Sequence, residues 1–294
     1  MSFAIQSAID AISLGSLYAV LALGIALIFG IMQLINFAHG ELIMIGGYSL
    51  FFILRVQWTL AIVGTLVVVI AAALAMERIG FRSVRGADPS TLLVTSFALS
   101  FLLQNVAILA LGSRPKGVAL SPQLSEFISV GSFRISKLSI LIVLVTAVLL
   151  VCFALFLKKT TIGIQMRAAA EDFGMTRLLG VRANNVIAAA FALSGLLAAI
   201  ASLLLVSQTA TLTPTMGVNP VIIAFIATVI GGMGSLQGAV IGGFFLGCLT
   251  VSLQASLPLD LRLYRDAFTF GAVILVLLLR PQGILVTRSA RTRI

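Results

Sequence analysis

Acidic side chains are scarce in this chain: nine Asp and Glu among 294 residues, against nineteen Lys and Arg, with one histidine and two cysteines. Each shortage excludes something. Soluble domains run at about 25% charged and about 45–50% apolar residues. Here 10% of residues are charged, 60% are hydrophobic, and the mean hydropathy is +1.19, which leaves no room for a separate soluble domain. Cys152 and Cys248 each sit inside an apolar run, as small buried hydrophobes do. They supply neither a disulfide framework nor a zinc pattern. His39 and Glu41 alone do not make a metal site, which takes about three or four converging ligands. The chain has no Gly-x-Ser-x-Gly and no phosphate-cradling Gly-Lys-Ser/Thr loop, so covalent hydrolysis and nucleotide hydrolysis by this chain are not expected. The net charge of +10 is split into short clusters between apolar runs. With no basic face outside those runs, no nucleic-acid partner is expected. The opening MSFAIQSAID lacks the basic region of a cleavable signal, so the first apolar run is expected to be retained.

What is present is a series of apolar runs, several of the roughly 20 residues that cross a hydrocarbon core of about 30 Å. They cover Ile9 to Met32, a short run ending near Leu54, Leu60 to Met76, Thr91 to Leu111, Leu138 to Leu157, Val186 to Val206, Pro220 to Ile230, Ala239 to Leu257 and Phe268 to Leu279. The expected fold is all-α, a polytopic transmembrane helical bundle of eight or nine spans with broken or re-entrant helices, forming one domain over 1–294. Excess positive charge marks the cytoplasmic side. It places Arg78 to Arg85, Lys158 to Arg182, and the tail with Arg288, Arg291 and Arg293 on that side together. The connection Gly112 to Lys137, with Pro115 and Pro122, reads as a polar loop. It carries Arg114, Lys116, Arg134 and Lys137 against Glu126 yet must face outward. The N-terminus is external if the short second run crosses fully, and cytoplasmic if that run is re-entrant.

Two places depart from plain apolar helix. Ile35 to Tyr48 contains Asn36, His39 and Glu41 at the head of the short run. Ionisable groups at membrane depth are costly and mark functional interiors. The alternative is that His39 and Glu41 sit at the membrane interface, with Asn36 capping a short helix. The second place is Gly231 to Gly243, with Gly231, Gly232 and Gly234 in GGMGSLQG. Such glycines allow close helix packing or an unwound backbone lining a pathway. Breaks at matching places in two halves point to a substrate pathway. Asn36, His39, Glu41, Gly231, Gly232 and Gly234 are therefore the candidate pathway residues. Gln104, Asn105 and Gln254, inside spans, read as inter-helix hydrogen-bonding groups.

The polar stretch Lys158 to Asn185 interrupts the apolar pattern, with five basic and two acidic residues. Gly163 to Asp172 is alanine-rich and favours a helix. Arg167 and Glu171, spaced i, i+4, are expected to pair on one face. Phe173, Met175, Leu178 and Leu179 form an apolar side. Composition leaves two readings level: a helix resting on lipid, or a docking helix for a cytoplasmic partner.

Three blocks carry a resemblance. Thr161 to Asp172, with Leu179-Gly180-Val181, resembles the coupling loop of ABC-transporter permeases of the branched-chain amino acid uptake family. Gly15-Ser-Leu-Tyr-Ala19 followed by Ile35-Asn-Phe-Ala-His-Gly-Glu41 is similar to that family's N-terminal pattern, and Gly231 to Ala239 resembles its late glycine-rich element. Length and early motif look like the H-type subunit. The resemblance implies a permease for amino acids, branched-chain ones first, paired with a second (M-type) permease subunit. Two cytoplasmic ATPase subunits would bind ATP–Mg, none being bound by this chain, and an extracytoplasmic binding protein would deliver substrate. The setting would be a bacterial or archaeal plasma (inner) membrane. Segment 158–185 would then dock on an ATPase through Gly163, Arg167, Ala168, Glu171, Asp172 and Gly180. Where the oldest coupling pattern has Glu-Ala-Ala and then Gly, this chain has Ala169-Ala170-Glu171. An ion-gradient-driven transporter using His39 and Glu41 is the rival reading, and relatives of this family also move urea, short amides and other amino acids.

Overall fold

A computed structural model describes residues 2–55, 57–118, 126–130, 133–281 and 283–285. The tail arginines 288, 291 and 293, and Pro122, lie outside the described residues. Helix covers nearly every apolar run: α1 (Ser2–Met32), α2 (His39–Leu54), α3 (Trp58–Ala75), α4 (Pro89–Leu111), α5 (Lys137–Lys159), α8 (Ala183–Thr209), α9 (Val218–Gly231), α10 (Leu236–Ser256) and α11 (Arg265–Leu279), with α6 (Thr161–Glu171) and α7 (Phe173–Leu178) between α5 and α8. Six of these are long and apolar enough to cross a membrane. The other three of the nine, α2, α9 and α11, have 16, 14 and 15 residues. The chain is a polytopic helical membrane bundle.

The connection before α5 is not the plain loop expected. Phe127–Val130 (β2) and Phe133–Ser136 (β3) form an antiparallel hairpin, and Lys116–Gly117 (β1) pairs with Thr211–Leu212 (β4). Ser136 then caps α5, its side chain accepting from the Leu138 amide. The β1–β4 pairing fastens the end of α4 to the end of α8.

The helices fall into two halves of matching order. A long helix (α1 or α8) is followed by a non-helical stretch (33–38 or 210–217), a short helix (α2 or α9), a longer helix (α3 or α10) and a last helix (α4 or α11). The packing partners match too. α1 lies along α10 as α8 lies along α3, and α9 packs on α1 as α2 packs on α8. α1 meets α8, and α2 meets α9, across the centre. The halves run in opposite directions, the arrangement of an inverted repeat.

Small residues set the close approaches. A Cβ on Gly243 would fall 2.5 Å from the Ala19 Cα, and one on Gly247 would strike the backbone of Gly15. The register Ala19–Gly243, Gly15–Gly247 is antiparallel, with small residues every four positions on both helices. In lipid no hydrophobic drive brings helix to helix, so van der Waals contact through such small-residue seams holds them together. On the other half, a Cβ on Gly195 of α8 would sit 2.6 Å from the Ala73 Cβ of α3.

The ends of the bundle separate cleanly. At one end, Ala170 of α6 and Gly234 of the α9–α10 turn both approach Gly30, near the C-terminus of α1. Arg85 bonds Asn184 at the start of α8 (2.6 Å) and pairs with Glu77. The Ile284 and Leu285 amides, after α11, donate to the carbonyls of Ile230 and Gly231. At the other end, Lys116 lies over the rings of Tyr48, Phe51 and Phe52 in the last turns of α2. The short second run therefore does reach the far end, which places the N-terminus there as well.

Candidate translocation and coupling sites

After Met32 the chain leaves the helix and turns back inward. Gln33 takes a left-handed conformation (φ 52°) and residues 33–36 are without helix. Non-helical backbone survives at membrane depth only where protein covers it, and here Leu34, Asn36 and Ala38 are fully buried. A Cβ on Gly24 would fall 2.7 Å from His39 Nε2. Gly24 lies roughly 12 Å inside the end of α1 at Met32 by helical rise, so α2 begins inside the bundle, not at its surface. The interface reading of His39 and Glu41 is corrected: both are 1% exposed. The expected Asn36 cap is absent as well. Ala38 occupies the N-cap without a side-chain bond, and the Asn36 amide donates instead to Met76 Sδ at 3.8 Å.

These buried groups each hold a neighbour. Ser194 of α8 donates to the Gly24 carbonyl (3.0 Å) and lies 3.1 Å from His39 Nδ1, joining α1, α2 and α8. Glu41 Oε1 accepts from Ser100 (2.9 Å) and Gln104 (2.7 Å), both on α4. α4 is otherwise mostly exposed, and two further attachments reach the same break: Phe97 stacks on Phe37 at 4.2 Å, and Ser96 donates to the Ile35 carbonyl. Among the described residues Asn36 Oδ1, His39 Nε2 and Glu41 Oε2 accept or donate no hydrogen bond. Gln104 thus makes the inter-helix bond expected of it. Asn105 bonds only its own helix, through the Phe101 carbonyl, and Gln254 accepts from Arg265.

The second break lies elsewhere than the glycine cluster. The counterpart of Asn36–Ala38 is the stretch 210–217, which follows α8 as 33–38 follows α1. Its Leu212, Pro214 and Gly217 are buried. Gly217 meets Gly40 backbone to backbone, so a Cβ on Gly40 would fall 2.5 Å from the Gly217 carbonyl oxygen. The amino ends of the two short helices therefore face one another in the middle of the bundle. Gly231, Gly232 and Gly234 instead build the tight α9–α10 turn, with Gly232 at φ 108°, Gly234 at φ 86°, and Gly231 packed on Gly238. The structure brings Asn36, His39 and Glu41 together at the first break and puts the three glycines at the end of the bundle beside α6. Ser194, Ser100 and the 210–217 stretch escaped the sequence reading. A serine inside α8 and a Thr-Pro-Gly run just after a long span were the available signals.

The coupling candidates form a helix pair at the same end. Thr160 caps α6, accepting from the Gly163 amide at 3.0 Å, and Asp172 caps α7, accepting from the Met175 amide at 2.9 Å. Gly163 is buried where α6 folds against the last turn of α5. Gly180 ends α7 at φ 84° in open space. Arg167, Ala168 and Glu171 are exposed, while Met166 and Ala169 face inward. Arg167 and Glu171 do not pair; the ion pairs among the described residues are Arg85–Glu77, Lys137–Glu126 and Arg265–Asp266. Phe173 packs against the core, but Met175, Leu178 and Leu179 are 56%, 83% and 78% exposed, an apolar edge open at the bundle end.

Comparison with known proteins matches this sequence to a family of permeases. A profile described as branched-chain amino acid transport system / permease component covers residues 7–278. The chain is 36% identical over 297 aligned positions to the high-affinity branched-chain amino acid transport system permease protein BraD of Pseudomonas aeruginosa, covering 96% of this chain and 95% of that protein. It is 35% identical, at the same coverage, to permease protein LivH of Escherichia coli, and 26% identical to a probable LivH of Methanocaldococcus jannaschii across 93% of this chain and 90% of that one. A solved structure, PsaBC from Streptococcus pneumoniae in complex with Fab, aligns over 99% of this chain at a TM-score of 0.48 and 15% identity. From the profile match and the full-length identity, the chain belongs to the permease components of branched-chain amino acid transport systems.

Proposed function

We propose that this chain is the membrane permease of an ATP-driven importer that carries branched-chain amino acids across a bacterial or archaeal plasma membrane. The observation that carries the reading is the exposed helix pair α6–α7. It stands at the end of the bundle rich in basic residues, braced against α1 and α5, with Arg167, Glu171 and an apolar edge presented outward. Positive charge assigns that end to the cytoplasm. A partner seated there would reach α1 directly through Ala170 and Gly30, and α8 through the packing of α6 on it. Both long helices lead to the central break at His39.

In this reading segment 158–185 of a single permease domain docks on one of two ATPase subunits, which bind ATP–Mg. A second permease completes the pathway, and a binding protein delivers substrate to the opposite end. Asp172, committed to the α7 cap, acts on docking by shaping the segment, whereas Arg167 and Glu171 are free to touch the partner. Affinity purification through this chain tests it. ATPase subunits should co-purify with the wild type and be lost with Glu171→Lys combined with Leu178→Asp. Uptake of leucine into liposomes by this chain alone, without ATPases, refutes the reading.

A further inference from the structure

A cleft of about 200 Å³ opens between α1, α9, α10 and α11. Its mouth lies at the bundle end opposite α6–α7, where α11 begins with Arg265 and Asp266. We propose that this cleft is a binding site for a zwitterionic α-amino acid with an aliphatic side chain. The proposal rests on the importer reading above, which makes this mouth the outer one.

The charged groups at the mouth are half committed. Arg265 donates from Nε and Nη2 to Asp266 Oδ1 (3.0 and 2.9 Å) and from Nη1 to Gln254 Oε1 (3.0 Å). A guanidinium has five N–H bonds, so one remains on each terminal nitrogen, the pair that grips a carboxylate in bidentate fashion. Asp266 Oδ2 takes no hydrogen bond among the described residues and suits an ammonium group. The cleft thus offers both signs side by side, as a zwitterion does. Below them the wall is aliphatic and aromatic, with Ile222, Leu246 and Phe270.

An ion pair at a helix start has an ordinary explanation, because an acid in the first turn suits the helix dipole. That explanation does not reach Asn219. Its side chain is exposed in the first turn of α9, at the depth where Gly217 meets Gly40, and makes no hydrogen bond among the described residues. An amide facing hydrocarbon without a partner is costly. A water-filled cleft with a polar ligand removes that cost. Thr250 and Thr269, also on the lining, satisfy their hydroxyls on their own helices, at the Leu246 and Arg265 carbonyls. Asn219, which lies nearer the mouth than Ile222 on the inward-running α9, and the Tyr18 hydroxyl are therefore the uncharged polar groups of the lining left without a hydrogen bond among the described residues. The ligand's carboxylate spans Arg265 and Asn219, its ammonium meets Asp266, and its side chain lies on Ile222 and Leu246.

The test is saturable binding of radiolabelled L-leucine to the purified full-length chain in nanodiscs of phosphatidylglycerol, repeated with phosphatidylethanolamine. Arg265→Gln and Asp266→Asn should each weaken binding about ten- to a hundred-fold, the range for a lost charge-assisted bond. 4-Methylpentanoate, which lacks the ammonium, should compete weakly and gain rather than lose affinity in Asp266→Asn, which removes a like charge beside its carboxylate. 3-Methylbutylamine, which lacks the carboxylate, should likewise gain rather than lose affinity in Arg265→Gln. Asn219→Leu removes the amide from a branched side chain without altering either charge and should weaken leucine about tenfold, which guards against charge variants that fail to fold. Absence of saturable leucine binding, or binding unchanged by all three substitutions, overturns the proposal. So does loss of leucine binding in phosphatidylethanolamine alone, which marks the cleft as a headgroup site. ATP-driven uptake separates the two readings. Normal uptake by the variants sinks the cleft and spares the importer, whereas leucine binding by a wild type that never transports with ATPases sinks the importer.

Discussion

Adding one methyl group at Gly40 tests the centre of the fold. In Gly40→Ala the new Cβ would lie 2.5 Å from the Gly217 carbonyl oxygen, 3.0 Å from its carbon and 3.2 Å from Val221 Cβ. The first two neighbours are backbone and have no rotamer to yield, so α2 and α9 must move apart. Overpacking of this kind costs about 1–3 kcal/mol, and at about 2–4 °C per kcal/mol for a large domain the melting point should fall measurably. The same methyl at Gly271 of α11 meets nothing within 4 Å. There it should stabilise by about 0.5–1 kcal/mol, since glycine is costly inside a helix. Gly217→Ala strikes the same contact from the other side. Once the backbones have parted for one methyl the second is partly accommodated, so the double variant should cost less than the sum of the singles. The assay is the fraction of detergent-purified protein that remains monodisperse on gel filtration after heating, for the wild type, the three singles and the double. Gly40→Ala melting with the wild type, or strict additivity in the double, would show that the two helix ends do not touch.

Glu41→Ala removes the acceptor of Ser100 and Gln104 and should destabilise by about 1–3 kcal/mol. Glu41→Gln keeps one acceptor oxygen and should cost less; proteolysis within α4 is the readout. Arg85→Ala leaves Glu77, whose side chain is 7% exposed, without its partner. It should cost up to about 3–5 kcal/mol, much of it regained in Arg85→Leu with Glu77→Leu, as thermal melts will show. Asp172→Ala should unravel α7 at a cost of about 0.5–2 kcal/mol, with faster amide exchange confined to 173–179, while Asp172→Asn preserves the cap. A faster exchange in α6 as well would refute the separate capping of the two helices.

The spans were legible because long apolar runs need no periodicity to be recognised, and α3, α4, α5 and α8 fall within a few residues of the runs read from sequence. The first break was legible because Asn36, His39 and Glu41 are conspicuous in apolar surroundings. Their depth was not, since sequence does not tell a chain that turns back into a bundle from one that surfaces. The second break carries no charge, and its threonines, proline and glycine between two apolar runs give a pattern no different from any connecting loop. Only the meeting of Gly217 with Gly40 shows that it returns to the interior. The glycine cluster drew attention by composition, yet its residues serve a turn and a tight hairpin. The β2–β3 hairpin had its own signal in Phe and Ile on both sides of Gly131-Ser132, outweighed by prolines and charges nearby. Asp172 drew attention as a contact because it is charged; its spacing of three from Met175 also marks it as a cap.

Helix α5 belongs to neither half. Each half crosses four times, so a chain leaving the first re-emerges on the face where it began, and a second copy added directly would stand the same way up. One further crossing is what turns the second copy over. α5 supplies it, and the stretch from Lys158 in its last turn to Arg182 carries the positive charge that the positive-inside rule expects on the cytoplasmic face. The handedness of the whole permease toward its membrane thus hangs on a single helix and the short polar stretch at its end, which is also the stretch a partner would grip. Deleting α5 would give a chain whose halves point the same way.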